Sequence, residues 1–334
     1  PLSDRWSMSH EAGGGSVAAG AARAPEIAVL IPCYNEEAAI GAVVSAFRAA
    51  LPGAKTYVYD NNSADRTRSV AADAGAIVRS ETQQGKGYVV RRMFADVEAD
   101  VYLLVDGDAT YDATCAPALI RQLLDGPLDM VNGARVSRED VQHRPGHQFG
   151  NRLLSGLVAW IFGNRFRDML SGYKVFSRRF VKSFPALSAG FEIETELTVH
   201  ALELAMPVTE VDTPYSDRAE GTQSKLNTFR DGYRILKTIG IFIKEERPLQ
   251  FFSAVAGVFA LGAVILGLPI IVTYLQTGLV PRLPTAVLST GLMLLGALSL
   301  TAGLILDTVT RGRREAKRMR YLSIAAPPGV DVDD

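Results

Sequence analysis

Asp106-Gly107-Asp108 follows the apolar run Val101 to Val105. Two carboxylates separated by one small residue at a strand end can approach one hard cation, and Mg2+ usually takes one or two carboxylates plus phosphate oxygens. Such a cation would hold a nucleoside diphosphate and stabilise it as it leaves. A lone pair of this kind is common in surface turns; here the apolar run delivers it to a sheet edge. Two more polar clusters follow apolar runs. Tyr34, Asn35 and Glu36 come after Ile27 to Ile31, and Asp60, Asn61, Asn62 and Ser63 come after Tyr57 to Tyr59. If the runs are strands, all three clusters lie at carboxyl ends, where open α/β sheets bind ligands.

Other chemistries fail on spacing. In Ser80 to Gly87, Ser80 stands where a P-loop has its first glycine and Gly87 where it has Ser or Thr. Gly85 and Gly87 lack a third glycine at Val90, so the dinucleotide fingerprint fails too. No Gly-x-Ser-x-Gly elbow is present. His10, His143, His147 and His200 form no zinc motif, and Cys33 and Cys115 are too few for a disulfide scaffold. A formal net charge of −1 argues against a nucleic-acid partner held by a basic surface. The 334 residues suggest two units, and 48% apolar against 21% charged residues exclude a disordered chain.

The elements that must carry these clusters are legible in the first half. Ile27 to Ile31, ended by Pro32, reads as a buried strand. Ile40, Val43, Val44, Phe47 and Leu51 keep a helical period. Tyr57 to Tyr59 reads as a strand, and Ser63 as the N-cap of the next helix. Ile77 to Arg79, a helix through Val89 to Val97, and the strand Val101 to Val105 continue a βαβα series. That series predicts an α/β domain with a mainly parallel sheet covered on both faces.

The remaining hydrophobicity is concentrated at the other end. Leu249 to Leu275 and Ala286 to Leu306 contain no charged residue, and each is long enough to cross a bilayer core of about 30 Å. Six glycines (257, 262, 267, 291, 296 and 303) would permit close helix approach, and Pro269 would kink the first span. Lys244 and Arg247 flank the first span, and Arg311, Arg313, Arg314, Lys317, Arg318 and Arg320 follow the second, whereas the link carries only Arg282. Both termini are therefore expected on the cytoplasmic side. Leu226, Phe229, Tyr233, Leu236 and Ile243, interleaved with Lys225, Arg230, Arg234 and Lys237, predict a basic amphipathic helix at the interface with membrane lipids. Pro1 to Ala24 lacks an apolar core segment and reads as a disordered leader rather than a signal peptide. The expected organisation is a leader over 1–25, a catalytic domain over 26–224, interfacial helices over 225–247, a hairpin over 248–310 and a basic tail over 311–334.

The ordered motifs carry a resemblance. Ile31-Pro32-Cys33-Tyr34-Asn35-Glu36-Glu37, Asp60-Asn61-Asn62-Ser63-Ala64-Asp65, Gln84-Gly85-Lys86-Gly87 and Asp106-Gly107-Asp108 occur in the order seen in family 2 glycosyltransferases of the GT-A fold. Ser171-Gly172-Tyr173-Lys174-Val175-Phe176, Phe191-Glu192-Ile193-Glu194 and Arg218-Ala219-Glu220-Gly221-Thr222-Gln223-Ser224-Lys225 narrow it. The chain resembles polyprenyl-phosphate glycosyltransferases, such as dolichyl-phosphate mannose synthases and bacterial undecaprenyl-phosphate glucosyltransferases, over about residues 26 to 310.

The resemblance implies a nucleotide-sugar donor bound by Pro32, Tyr34, Asn35, Glu36, Asp60, Asn62, Lys86 and Asp106, with Asp60 accepting a ring N–H of the base. It implies Mg2+ or Mn2+ on Asp106 and Asp108. Two positions depart from the family: Asn61 replaces a common second Asp, and Thr110 replaces a common Gln, leaving a hydroxyl that can ligate the cation as a third metal ligand or orient its water. It implies a polyprenyl phosphate acceptor gripped by Arg135, Arg152 and Ser155, with Arg218, Ser224 and Lys225 on a closing loop. Asp168, Glu194 and Asp108 are the implied catalytic carboxylates, although Glu194 also suits a helix N-terminus. The acceptor phosphate is ionised near neutral pH, so attack on the anomeric carbon needs little base catalysis and inverts configuration. A UDP-hexose is favoured over GDP-mannose. A bacterial plasma-membrane location and a homo-oligomer, a tetramer in some two-span relatives, are implied as well. The alternatives are a polysaccharide synthase, opposed by two spans only and by the absence of Gln-x-x-Arg-Trp, and a non-catalytic nucleotide-sugar-binding membrane protein.

Overall fold

Ile27–Cys33 forms β1, an interior strand of the sheet. Its side chains divide with the two-residue period of a strand covered on both faces. Ala28 and Leu30 enter one core; Val29, Ile31 and Cys33 enter the other. In a computed structural model that describes residues 23–137, 166–190, 192–216, 244 and 247–325, the chain continues through α1 (Ile40–Ala50), β2 (Lys55–Asp60), α2 (Thr67–Asp73), β3 (Ile77–Ser80), α3 (Lys86–Asp96) and β4 (Val101–Leu104). A 3-10 turn over Ala113–Cys115 leads into α4 (Ala116–Asp125). Then follow β5 (Met130–Ser137), β6 (Lys174–Ser177), α5 (Arg178–Ser183), α6 (Ile193–Glu203), β7 (Val208–Tyr215), α7 (Pro248–Thr277) and α8 (Leu283–Leu322).

The strands form one seven-stranded sheet in the order β3-β2-β1-β4-β6-β5-β7. All neighbours are parallel except β6, which runs antiparallel to β4 and β5. The expected α/β architecture with a mainly parallel sheet is observed. One core lies under α3, α5 and α6, through Met93, Phe94, Phe176, Phe180 and Leu197; the other lies under α1 and α4, through Val44, Phe47, Leu119 and Leu123.

Two local expectations are corrected. β1 does not stop before Pro32 but runs on to Cys33. Leu30 accepts from Val105 N on the β4 side and Cys33 accepts from Asn61 N on the β2 side, so by alternation Pro32 faces β4. The β4 pairing has ended at Leu30, so the missing N–H removes no ladder bond. Ser63 is not a helix cap, because α2 starts at Thr67. Asp65 accepts from Thr67 N instead, and Ser63 Oγ accepts from Asn35 N at 2.9 Å.

The two apolar helices are found at nearly the expected places. α7 runs through Pro269 to Thr277, and α8 packs antiparallel along it. A Cβ on Gly296 would stand 3.2 Å from Ala256 O, one on Gly303 2.9 Å from Phe252 Cβ and one on Gly267 2.7 Å from Ser289 Oγ, so these three glycines lie in the seam. Gly257 and Gly291 have nothing within 4 Å and lie away from it. Both helices are long and apolar enough to cross a membrane. Their large side chains point outward, with Leu261 62% and Leu298 64% exposed, which a water-facing surface would not carry as a continuous patch. The basic segment from Arg311 is not a separate tail: α8 continues through it to Leu322. The interfacial helix expected over 225–247 lies outside the described residues except for Lys244 and Arg247, as does most of the leader.

His200 of α6 is buried between Phe180 and Phe184, each ring centroid 5.3 Å away, with Nε2 3.1 Å from Ser183 Oγ. Burial, aided by the Lys317 charge, pushes its pKa down to about 3. The unfolded chain takes up this proton below about pH 6.5. The stabilisation is therefore complete above that pH and is lost as pH falls towards 3. Between pH 7.5 and 5 the loss should reach about 2 kcal/mol. Urea midpoints at the two pH values should differ clearly for the wild type and much less for His200→Leu.

Candidate active site at the carboxyl ends of the strands

Gly85-Lys86-Gly87 opens α3 against the backbone of residues 188–189. A Cβ on Gly87 would lie 2.0 Å from Ser188 O, and one on Gly85, at φ +143°, would lie 2.2 Å from Ala189 O. Only glycine fits this approach. The spacing that failed as a phosphate loop thus serves to seat Lys86. Its Nζ donates to Asp106 Oδ1 and Glu194 Oε1, both at 2.5 Å, joining α3, the end of β4 and the first turn of α6. Lys86 and Glu194 are 108 positions apart in the chain. Burial opposes the ammonium, but Asp106 and Glu194 outweigh it and raise the Lys86 pKa. Burial and the Asp106 charge hold the Glu194 carboxyl above its usual range, against the pull of Lys86.

Asp106 also needs Gly172. A Cβ there would lie 2.2 Å from Asp106 Oδ2. Gly172 is held by Tyr111, whose hydroxyl accepts from Gly172 N at 2.7 Å, and by Ser171, whose Oγ donates to Gly133 O at 2.5 Å. Tyr111 was not singled out in the sequence. Its signal was only its place three residues beyond the acidic triplet.

Asp108 is buried, and Thr110 Oγ1 donates to its Oδ1 at 2.6 Å. Thr110 thus orients Asp108. Among the described residues no group of three or more His, Cys, Asp or Glu gathers as a metal cluster. Asp106 and Asp108 are the two carboxylates that the sequence offered as donors. Two carboxylates suit a divalent cation completed by phosphate oxygens and water rather than one caged by protein.

The other clusters meet beside them. Asp60 is buried; its Oδ2 accepts from Ser63 N at 3.3 Å, and its Oδ1 has no partner among the described residues. A buried carboxylate oxygen without a donor is costly, and a ligand N–H would relieve it. Asn61 donates to Glu81 O and Gln83 O at 2.9 and 2.7 Å and accepts from Gly85 N at 2.7 Å. An aspartate could not make those two donations, which explains the departure at this position. Asn62, at φ 64°, donates to Thr82 O, and Asn35, at φ 53°, accepts from Ala64 N. Both asparagines tie the loops together. Glu36 N donates to Thr67 Oγ1, Tyr34 is 38% exposed, and Pro32 is the penultimate residue of β1.

Arg135 and Asp168, assigned separate roles by the resemblance, are each other's partners. Arg135 Nε and Nη2 donate to Asp168 at 2.7 and 2.8 Å, and Arg135 N adds a third bond at 3.1 Å. Against its burial, these bonds keep the Asp168 carboxyl below its usual range. The guanidinium lies 5.5 Å from the Tyr215 ring, which packs on Tyr111, so the two clusters adjoin. Behind them Lys174 is fully buried, its Nζ 2.5 Å from Asn132 Oδ1 and 3.3 Å from Met169 O. Burial pushes its pKa down to about 8. Asn132 in turn donates to Asp168 O and Glu210. Arg152, Ser155, Arg218, Ser224 and Lys225 lie outside the described residues.

Residues 28–182 match the family described as Glycosyl transferase family 2. Glycosyltransferase AglJ of Haloferax volcanii is 35% identical over 304 residues, covering 89% of this chain and 98% of that protein. A protein of the same organism named dolichyl-phosphate hexose transferase is 28% identical over 222 residues, covering 66% and 96%. Among solved structures, glucosyl-3-phosphoglycerate synthase from Mycobacterium tuberculosis with Mn2+, uridine-diphosphate and phosphoglyceric acid superimposes with a TM-score of 0.55 at 22% identity, covering 66% and 78%.

Proposed function

The chain belongs to glycosyl transferase family 2, and from that premise we propose that it transfers one sugar from a nucleotide sugar to a polyprenyl phosphate at a membrane surface. The carrying observation is the Lys86–Asp106–Glu194 cluster beside Asp108, in a chain that also bears two apolar helices of membrane-crossing length. A relative named for dolichyl phosphate supports the acceptor class, and a fold neighbour holding uridine-diphosphate and Mn2+ is in keeping with a UDP-sugar rather than GDP-mannose.

Asp60 accepts a ring N–H of the base with its unpartnered Oδ1, beside Pro32, Tyr34 and Glu36. Asn35 and Asn62 hold the loops that line the nucleotide. Asp106 and Asp108 would hold Mg2+ or Mn2+, which when bound would supply positive charge to the diphosphate, and Thr110 keeps Asp108 in place. Lys86 adds a second fixed charge near the leaving group, and Glu194 orients Lys86 and the sugar hydroxyls. The acceptor monophosphate is already ionised, so the protein orients it rather than deprotonating it. Arg135 offers it a forked donor, held in aim by Asp168, together with Arg152, Ser155, Arg218, Ser224 and Lys225. In-line attack inverts the anomeric carbon.

The ends of the helices support a topology. Gly303 packs on Phe252, so the start of α7 and the basic end of α8, which extends beyond it, lie on the same side of the hairpin as the catalytic domain. On this reading the positive flanks favour that side as the cytoplasmic face of the plasma membrane, with both termini there. Assembly into a homo-oligomer belongs to the same reading.

The test is purified protein with polyprenyl phosphate, Mn2+ or Mg2+ and a panel of UDP- and GDP-sugars, with lipids read by mass spectrometry. One glycosylated lipid phosphate plus nucleoside diphosphate is the expected product. Product on a growing polymer, or binding without turnover, would overturn the reading. Asp60→Ala should weaken UDP binding by roughly 10- to 100-fold in calorimetry, as loss of a charged acceptor does, with kcat at saturation nearly kept.

A further inference from the structure

The basic segment after the second apolar stretch has a structured use beyond its charge. α8 continues past Leu306 without a break, and Thr310, Arg314, Lys317, Tyr321 and Ile324 are less exposed than the residues between them. The four, three and four spacing of Thr310, Arg314, Lys317 and Tyr321 places them on one helical stripe, and Ile324 follows just past the helix end. That stripe lies on the catalytic domain. Lys317 Nζ is 2.6 Å and Arg314 Nε 3.5 Å from the Glu203 carboxylate. Tyr321 OH donates to Asp129 Oδ2 at 2.6 Å and lies under the Arg179 guanidinium, 5.2 Å from its ring.

The receiving groups are unusual for a free surface. The Glu203 side chain is 2% exposed and sits in the last turn of α6, where the helix dipole disfavours an anion. The Asp129 side chain is 4% exposed. Buried carboxylates persist only with partners; α8 brings a cation to Glu203 and adds a hydroxyl to Asp129, whose Oδ1 already accepts from Ser177 Oγ at 2.6 Å. The contacts sit 11 to 15 residues beyond Leu306, about 16 to 22 Å along a helix. Such a rod sets a distance.

We infer that the C-terminal part of α8 is a strut that fixes how far the catalytic edge stands from the bilayer. Glu203, Lys317, Asp129 and Tyr321 are then positioning residues for delivery of a lipid-borne phosphate. The inference rests on the proposed lipid acceptor. Lys86 and Asp106 pin the N-terminal end of α6 separately, so the donor side should not feel the strut.

The experiment uses the full chain in nanodiscs of phosphatidylethanolamine and phosphatidylglycerol. A dye on Asp125→Cys, in a Cys115→Ser background, reports energy transfer to headgroup-labelled lipid, with Lys317→Glu, Tyr321→Ala and the exchange Glu203→Lys/Lys317→Glu compared. Both single variants should change the transfer efficiency and raise KM for polyprenyl phosphate roughly tenfold or more, with the Kd for UDP unchanged. The charge exchange should return both values towards wild type. Unchanged transfer efficiency in both single variants overturns the strut, as does a UDP Kd that rises in step with the lipid KM. If the wild type glycosylates no lipid phosphate, the functional reading fails, and the energy-transfer result alone still decides whether α8 sets the height.

Discussion

Asp108→Asn should lower sugar transfer about 1000-fold at saturating donor and Mn2+, while the protein melts within a few degrees of wild type. The two properties separate because of how Asp108 is held. Thr110 Oγ1 donates to its Oδ1 at 2.6 Å, and an asparagine oxygen accepts the same bond. The side chain stays in place and loses only its charge. Charge is what a cation on the leaving diphosphate requires, and such a cation contributes several kcal/mol at the transition state. At about 1.36 kcal/mol per tenfold, that is the expected 1000-fold. Calorimetry should also show UDP binding that no longer strengthens when Mn2+ is added. Asp106→Asn is the less clean variant, because it also takes a partner from Lys86. Near-normal turnover by Asp108→Asn would remove Asp108 from the cation site.

The first half of the fold was readable because its strands are apolar at consecutive positions. β1, β2 and β4 are buried on both sides of the sheet, and the helices between them keep a clear period. The strands β5, β6 and β7 give no such signal. Asn132, Arg135 and Lys174 lie within them, and Lys174 is buried only because Asn132 and Met169 receive its ammonium. A polar residue matched by a partner 42 positions away looks like loop until the pairing is known. The site divides in the same way. The motif resemblance named Lys86, Asp106 and Glu194, but no spacing announces that one ammonium joins them. It named Arg135 and Asp168 for different tasks, and the geometry makes them a forked pair. The basic flank of α8 was legible as charge. Its stripe acquires meaning only beside Glu203 and Asp129.

Lys86→Met should cost about 3 kcal/mol of stability and lower the melting temperature by about 6 to 12 °C, as well as abolish transfer. Lys86 is the shared partner of two carboxylates, one of them deeply buried, with side chains 7% exposed for Glu194 and 29% for Asp106. Removing one member of a buried pair leaves an uncompensated charge, which is where the 3 to 5 kcal/mol range for such losses arises. The partial exposure of Asp106 argues for the lower end. The pH dependence gives the sharper signature. Burial already holds the Glu194 carboxyl above its unfolded value, and loss of the ammonium raises it further. A carboxyl raised in the folded state binds its proton more readily there than in the unfolded chain. The variant should therefore regain stability as pH falls and lose it as pH rises through the folded pKa. The acidic limb from His200 is common to both proteins, so the comparison is the difference between variant and wild type at each pH. Adding Glu194→Gln to Lys86→Met should recover most of the melting temperature and none of the activity, because it removes the buried charge without restoring the cation. A Lys86→Met protein that melts like wild type at pH 8 would show that the ammonium does not hold these carboxylates together.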